Sequence, residues 1–135
     1  MSNDLIVAAT RARDHALAPF SGFKVGAAIE TSAGRVFTGC NVENVSLGLT
    51  VCAERVALWK ALSEGEREFT TIAVATESET PATPCGACRQ LLWEYCGNIS
   101  VLLHSISGGT TLNIPLMELL PRPFGSSYFS TGKSD

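Results

Sequence analysis

The chain contains few charged residues and no cluster of basic ones. Charged residues make up 17% of its 135 residues, with 10 Lys and Arg against 13 Asp and Glu, and the formal net charge is −3. Proteins that bind polynucleotides rely on clustered Lys and Arg side chains to neutralise phosphates. The acidic balance therefore argues against a nucleic-acid partner and favours a small, free substrate.

Long hydrophobic runs are also missing. No apolar stretch approaches the roughly 20 residues of a membrane-spanning helix. The first residues lack the charged region and apolar region of a signal peptide. The 5 cysteines are an odd number and two lie in a C-x-x-C, which argues against a secreted disulfide framework. We therefore expect a cytoplasmic protein that does not contact a membrane.

Apolar content, by contrast, is ample for one core. Hydrophobic residues make up 45% of the chain, which is typical of a compact globular domain. We predict a single domain over residues 1–125. Residues 126–135 are rich in Ser, Thr and Gly, and we expect this tail to be flexible.

Hydrophobic periodicity and turn residues divide the chain into alternating helices and strands. The predicted helices are Asp4–Leu17, Cys52–Ser63 and Gly86–Cys96, with a last helical turn at Pro115–Leu119. The predicted strands are Val25–Thr31, Arg35–Cys40, Thr70–Thr76, Ile99–His104 and Thr110–Ile114. This order predicts an α/β fold, a three-layer α/β/α sandwich around a mixed sheet of about five strands.

Three thiols stand where loops are predicted to become helices. The segments are Cys52-Ala53-Glu54-Arg55 and Pro84-Cys85-Gly86-Ala87-Cys88. Helix N-termini lower thiol pKa values and stabilise thiolates. Three thiolates can hold Zn²⁺ and leave a fourth position for water, as catalytic zinc sites do. We therefore predict one Zn²⁺ per chain, held by Cys52, Cys85 and Cys88, with Glu54 as the base that takes a proton from the water.

Other interpretations of the cysteines remain open. A closed structural site could recruit Cys40, Cys96 or His104 as a fourth ligand, but such a site gives no reason for Glu54. A redox C-x-x-C would also open a helix, but it leaves the separate Cys-Ala-Glu unexplained. Cys40 and Cys96 are most simply buried apolar residues. Arg55 is either a surface side chain or, as we favour, a donor to the sulfurs that offsets their excess negative charge.

The Cys-x-Glu and Pro-Cys-x-x-Cys pair is the signature of zinc nucleobase deaminases. Further segments extend the likeness along the chain. They are Phe20–Ala28, Thr38–Asn44, Gly48–Arg55, Pro84–Gln90, and Leu119–Pro121 with Phe124–Gly125. Because these segments occur in order and span nearly the whole sequence, the chain resembles the small, zinc-dependent, homotetrameric cytidine deaminases.

This resemblance implies the reaction and its substrate. Cytidine and 2′-deoxycytidine would be hydrolysed to uridine and 2′-deoxyuridine with release of ammonia, a step of pyrimidine salvage. Asn41 and Glu43 would bind the ribose, for which amide and carboxylate groups are suited. Phe23 would lie against the pyrimidine ring. The backbone N–H of Ala53 would bind the pyrimidine carbonyl, and the Thr83 carbonyl would bind the leaving amino group.

The resemblance also implies a homotetramer in which Phe124 of a neighbouring subunit helps to close each site. Two positions depart from the family pattern, because Phe20 and Leu47 stand where Tyr is usual or frequent. Two alternative functions would also use these residues. One is deamination of a modified cytosine nucleoside such as a blasticidin-type antibiotic, and the other is a non-catalytic, zinc-stabilised interaction module.

Overall fold

Helices and strands alternate along the chain in the computed structural model, which describes residues 2–129. The main elements are helix α1 (Ser2–Arg13), strands β1 (Val25–Thr31) and β2 (Val36–Cys40), helix α2 (Ala53–Ser63), strand β3 (Phe69–Thr76), helix α3 (Gly86–Cys96), strands β4 (Ser100–Ser105) and β5 (Thr110–Pro115), and helix α4 (Leu116–Leu119). Short 3₁₀ turns occupy Leu47–Leu49 and Ser126–Tyr128. None of the helices described is long and apolar enough to cross a bilayer.

The strands of residues 2–129 form one five-stranded mixed sheet in the order β2-β1-β3-β4-β5. Strand β1 is antiparallel to both β2 and β3, so β2 and β3 run in the same direction. Strands β3 and β4 are parallel, and β4 and β5 are antiparallel. Helix α3 makes the crossover that a parallel pair requires. The predicted mixed sheet is confirmed.

Each face of the sheet is covered by helices. Alternate residues of β3 point to opposite faces, so that Ile72 and Val74 belong to a larger core and Ala73 and Ala75 to a smaller one. The larger core includes Ala57, Leu58 and other residues of α2 and α3, and the smaller core includes Leu5 and Ala9 of α1. The predicted three-layer α/β/α sandwich is therefore confirmed.

Two strand glycines let helices approach the sheet closely. A Cβ on Gly26 would lie 1.9 Å from the carbonyl oxygen of Ala9 in α1. A Cβ on Gly39 would lie 2.6 Å from the carbonyl oxygen of Ala53 and 2.6 Å from the backbone nitrogen of Ala57, both in α2. The position of α2, and with it the first thiol, therefore depends on the missing side chain of Gly39.

The first helix ends earlier than predicted, at Arg13 rather than Leu17. The backbone of Leu17 instead pairs with the segment after β2: its N–H donates to the Asn41 carbonyl at 3.0 Å, and its carbonyl accepts from the Glu43 N–H at 2.8 Å. This long-range pairing replaces the last turn of the predicted helix. It also fixes the segment that carries Asn41 and Glu43 against the rest of the fold.

The structure corrects the expected burial of two cysteines, and it describes only part of the expected tail. Cys40 and Cys96 are only partly buried, not fully as expected, although Cys96 packs against the larger core and burial raises its pKa to about 12. Part of the expected tail, Ser126–Tyr128, forms a 3₁₀ turn. The remainder of that tail from residue 130 onward lies outside the described residues.

Candidate active site

Three sulfur atoms converge at the starts of two helices. Cys52 is the N-cap residue of α2, Cys85 is the N-cap residue of α3, and Cys88 lies in the first turn of α3. All three Sγ atoms lie within 4.8 Å of one another, and those of Cys52 and Cys85 are 3.8 Å apart. The spacing of the sequence motif thus becomes a compact group of thiols, each beside free helix N–H groups.

The protein surroundings favour the thiolate form of Cys52. A hydrogen bond from Cys88, together with Arg55, lowers the pKa of Cys52 to about 5. The same contact raises the pKa of Cys88, because Cys88 donates its proton to the Cys52 sulfur and is also shielded from solvent. Soft thiolate donors are the ligands that Zn²⁺ accepts, so these residues fit zinc. In residues 2–129 no other His, Cys, Asp or Glu joins the group, which leaves it one ligand short of a closed tetrahedral site.

The residues considered as a fourth ligand lie elsewhere. His104 is on β4, where its Nδ1 pairs with the Thr111 hydroxyl at 2.8 Å. Cys40 ends β2 and Cys96 ends α3, and neither belongs to the thiol group. Cys52 lies with Cys85 and Cys88, so the C-x-x-C is not an isolated dithiol. The geometry therefore favours an open metal site over the closed structural site and over the redox pair.

Arg55 lies next to the thiols. Its Nη2 is 3.8 Å from Cys52 Sγ and 3.2 Å from the Thr50 carbonyl oxygen. Its guanidinium group also stacks over the Trp59 ring, 5.7 Å from the centroid. This position suits the predicted donation to a sulfur and does not suit a free surface arginine.

Glu54 is the second residue of α2 and is only 5% exposed. Burial raises the pKa of its carboxyl to about 7. A carboxyl group with such a pKa can both take up and release a proton near neutral pH. Its burial shields the carboxyl group from bulk water, and its role as the base stays a prediction.

A cavity of about 330 Å³ opens at this point, within the roughly 300–1,000 Å³ of small-molecule sites. Its lining includes most of the predicted site residues. They are Phe23, Asn41, Glu43, Cys52, Ala53, Glu54, Thr83 and Cys85. The other lining residues are Ser21, Val25, Thr50, Val51, Val74, Thr76 and Ala82. No Lys, Arg or His occurs among them, so the cavity offers no positive side chain to a phosphate group.

Asn41 is 8% exposed and supports the loop before β1. Its Oδ1 accepts from the Val25 N–H at 2.8 Å, and its Nδ2 donates to the Phe23 carbonyl at 2.8 Å. Each amide atom keeps capacity for one more hydrogen bond. Phe23 itself is 43% exposed and borders the cavity. Asn41 is therefore a structural clamp on the Phe23 segment as well as a cavity residue.

Glu43 has a comparable double position. Its Oε1 accepts the backbone N–H groups of Phe20 at 2.9 Å and Ser21 at 3.0 Å, and its Oε2 accepts the Ser21 hydroxyl. These bonds, with the Ser21 hydroxyl first, lower the pKa of the Glu43 carboxyl. The sequence predicts a sugar contact for Glu43, but no sequence pattern indicates its contacts with Phe20 and Ser21.

Ala53 is the first residue of α2, and Thr83 lies two residues before Cys85, the N-cap residue of α3. The buried Pro84 follows Thr83 and directs the chain toward Cys85. Arg89 holds this segment: its Nε donates to the Pro84 carbonyl at 2.8 Å, and its Nη2 donates to the Thr83 hydroxyl at 2.8 Å. No role is predicted for Arg89 from the sequence, although its position directly after Cys88 could have indicated a role near the site.

Phe124 does not line the cavity of its own chain. It is 54% exposed and stacks on Tyr128 at 5.3 Å between ring centroids, with Phe129 edge-on at 5.4 Å. Its carbonyl accepts from Gln90 Nε2 at 2.6 Å. The described structure therefore holds Phe124 in an exposed aromatic group and not in its own cavity.

Fold and site together define an α/β protein with an open thiol site that suits a metal and a buried carboxyl group beside it. A family model described as the cytidine and deoxycytidylate deaminase zinc-binding region matches residues 2–103. The chain belongs to this family. Its match includes all three thiols and Glu54, the residues that the geometry brings together.

Named relatives agree with the family. A cytidine deaminase from Halalkalibacterium halodurans is 47% identical over 121 residues, which cover 89% of this chain and 91% of that protein. The crystal structure of cytidine deaminase from Burkholderia pseudomallei is 48% identical, with a TM-score of 0.87, and the match covers 92% of this chain and 99% of that one. A blasticidin-S deaminase from Bacillus cereus is 32% identical over 105 residues, 72% of this chain and 74% of that protein. The resemblance to cytidine deaminases is confirmed.

Proposed function

We propose that this chain catalyses the hydrolytic deamination of cytidine and 2′-deoxycytidine to uridine and 2′-deoxyuridine. The observation that carries the proposal is the position of Glu54, which is buried beside three thiols and faces a cavity of nucleoside size. A non-catalytic zinc module has no use for a buried carboxyl group that lines a cavity. Burial of a carboxyl group costs free energy, and a role in proton transfer explains why this group is buried.

The lining of the cavity supports a nucleoside over a nucleotide or a polynucleotide. It contains two carboxylates, Glu43 and Glu54, and no basic side chain. A phosphate ester would meet negative charge with no compensating cation. A neutral sugar with hydroxyl groups meets no such penalty, and Asn41 and Glu43 retain hydrogen-bonding capacity for it.

Glu54 carries the proton transfers of the proposed mechanism. Cys52, Cys85 and Cys88 would hold one zinc ion, which when bound supplies a Lewis acid that lowers the pKa of water at the open position. Glu54 takes a proton from the attacking water and delivers it to N3 as the water oxygen adds to C4. It then transfers the second proton to the amino group, the C4–N bond breaks, and ammonia leaves. A pKa near neutrality suits a group that changes protonation state twice.

Other residues orient the ring for this chemistry. The backbone N–H of Ala53 is at the free N-terminus of α2, where an acceptor such as the pyrimidine carbonyl is favoured. The Thr83 carbonyl precedes the buried Pro84 and would accept from the amino group. Phe23 supplies an apolar ring face at the cavity border.

We further infer a homotetramer in which Phe124 of a neighbour completes each site. Phe124, Tyr128 and Phe129 are exposed by 54%, 72% and 74%, an amount of apolar surface that a soluble monomer rarely presents in one place. Leu47, which borders a smaller pocket together with Ser21 and Glu43, is also 74% exposed. Thiol ligands persist best in a reducing compartment, which favours a cytoplasmic role in pyrimidine salvage.

One assay tests the proposed function against its alternatives. Ammonia release is measured from cytidine, 2′-deoxycytidine, cytosine, adenosine, deoxycytidylate and blasticidin S under the same conditions. We expect turnover of the first two and little from the others. Blasticidin S as the preferred substrate would support the antibiotic alternative, and no turnover by zinc-loaded protein would support the non-catalytic module.

A further inference from the structure

A serine hydroxyl joins the two residues proposed to contact the sugar and the base. The Ser21 hydroxyl donates to Glu43 Oε2, and its oxygen accepts the Phe23 backbone N–H at 3.0 Å. Ser21, Phe23 and Glu43 all border the cavity. A single hydroxyl therefore connects the Glu43 carboxylate with the backbone of Phe23 at the border of the cavity.

The direction of these hydrogen bonds is fixed by chemistry. A backbone N–H can only donate and an ionised carboxylate can only accept, so the single Ser21 proton points at Glu43. The two N–H groups on Oε1 and the hydroxyl on Oε2 hold Glu43 in one orientation. One lone-pair site of Oε2 remains for a ligand.

We propose that Ser21 is a positioning residue whose hydroxyl holds Glu43 and Phe23 in register, so that sugar and base contacts form together. The inference rests on the proposed function, because it assigns Glu43 to the sugar and Phe23 to the ring. Ser21 acts through these two residues, because its one proton is donated to Glu43 and its oxygen accepts from Phe23.

Other hydrogen bonds also hold the loop around Ser21, so the role of its hydroxyl can be tested without unfolding the loop. Asn41 Nδ2 holds the Phe23 carbonyl at 2.8 Å independently of Ser21. The backbone N–H groups of Phe20 and Ser21 still reach Glu43 when the hydroxyl is removed. Loss of the hydroxyl should therefore loosen the alignment of Glu43 and Phe23 without unfolding the loop.

Gly22 makes the short serine turn possible. It has a φ of +70°, a left-handed conformation that favours glycine. A Cβ at this position would meet nothing within 4 Å, so Gly22→Ala would strain only the backbone. This variant offers a second way to disturb the contact between Ser21 and Phe23 without removing a polar atom.

Steady-state kinetics with cytidine test the proposal. We expect Ser21→Ala to raise KM by about fivefold, because substrate binding must then order the Glu43 side chain that the hydroxyl had held, with kcat changed less than about twofold and zinc content unchanged. Ser21→Thr keeps the hydroxyl on an exposed residue and should restore KM, and Gly22→Ala should raise it. Ser32→Ala, exposed in the β1–β2 turn, is the matched control. A fall in kcat at constant KM, or a Ser21→Thr variant as impaired as Ser21→Ala, would overturn the proposal.

A double-mutant cycle tests whether Ser21 acts through Glu43. If it does, the combined rise in KM in the Ser21→Ala, Glu43→Ala protein should be clearly smaller than the product of the two separate rises, because only the contact of Ser21 with Phe23 is left to lose. Fully additive effects of the two substitutions would contradict the proposed coupling.

Titration of Glu43 by carbon-13 NMR gives a measurement that does not depend on turnover. Since the Ser21 hydroxyl is the largest cause that lowers the Glu43 pKa, Ser21→Ala should raise it. Identical titrations of the parent and Ser21→Ala proteins would overturn the inference. A parent protein that releases no ammonia from cytidine would instead defeat the proposed function, while the titration would still decide the contact between Ser21 and Glu43.

Discussion

The sulfur atoms of Cys52 and Cys85 lie 3.8 Å apart although 33 positions separate the two residues in the sequence. The sheet topology explains this proximity. Strands β2 and β3 are both antiparallel to β1, so their carboxyl ends lie at the same edge of the sheet. Helices α2 and α3 follow these strands and begin at that edge. The amino end of β1, preceded by the Phe23 loop, lies there too.

The first prediction concerns the metal. Purified protein should contain about one zinc per chain, because three thiolates form an open tetrahedral site. Cys85→Ala should lose zinc and fold poorly, since metal binding contributes to stability. Metal analysis by mass spectrometry checks both outcomes. Cys40→Ser and Cys96→Ser are the controls and should keep zinc; loss of zinc from Cys40→Ser would indicate a closed structural site.

The second prediction concerns Glu54. Glu54→Gln keeps the size of the side chain but cannot accept a proton. Zinc content and melting temperature should stay close to those of the parent, while kcat should fall beyond the roughly 10²–10⁴-fold of one proton transfer, because two transfers are lost. Single-turnover ammonia release measures the effect. Near-normal turnover would be incompatible with the proposed mechanism.

Much of this site could be predicted from the sequence because its determinants are local. Cysteines at helix starts, Glu54 two residues after Cys52 and Pro84 before Cys85 are all visible as short-range patterns, and the structure brings them to one cavity. The early end of α1 could not be predicted, because it depends on the pairing of Leu17 with Asn41 and Glu43. The hydrogen bond from Ser21 to Glu43 likewise joins residues 22 positions apart, and the sequence does not show that the Arg89 side chain turns back to the Thr83 hydroxyl.

The third prediction concerns the close contact between β2 and α2. A Cβ on Gly39 would lie 2.6 Å from backbone atoms of Ala53 and Ala57, so Gly39→Ala must displace the helix that carries Cys52 and Glu54. We expect a loss of about 1–3 kcal/mol in the free energy of unfolding, together with weaker zinc retention. Chemical denaturation measures the loss. Gly48→Ala, where a Cβ meets nothing within 4 Å, is the control, and equal stabilities of the two variants would refute the packing explanation.

The fourth prediction concerns sugar recognition. If Asn41 and Glu43 bind the ribose, their binding energy helps to orient the base in the cavity. Glu43→Ala should lower kcat/KM for cytidine by about tenfold or more while zinc is retained. Cytosine, which has no sugar, should be a very poor substrate for the parent protein. Cytosine that reacts as well as cytidine would show that the pair does not bind sugar.

The last prediction concerns the proposed contribution of Phe124 to a neighbouring site. Phe124 is exposed and lies outside the cavity of its own chain, so Phe124→Ala should lower activity only through the adjacent subunit. Light scattering should give a tetramer for the parent protein. In hybrids co-expressed from Phe124→Ala and Glu54→Gln chains, an intact Glu54 can face an intact Phe124 from the other chain. We expect these hybrids to exceed the activity of either variant alone; activity no higher than the mean of the two separate variants would exclude a shared site.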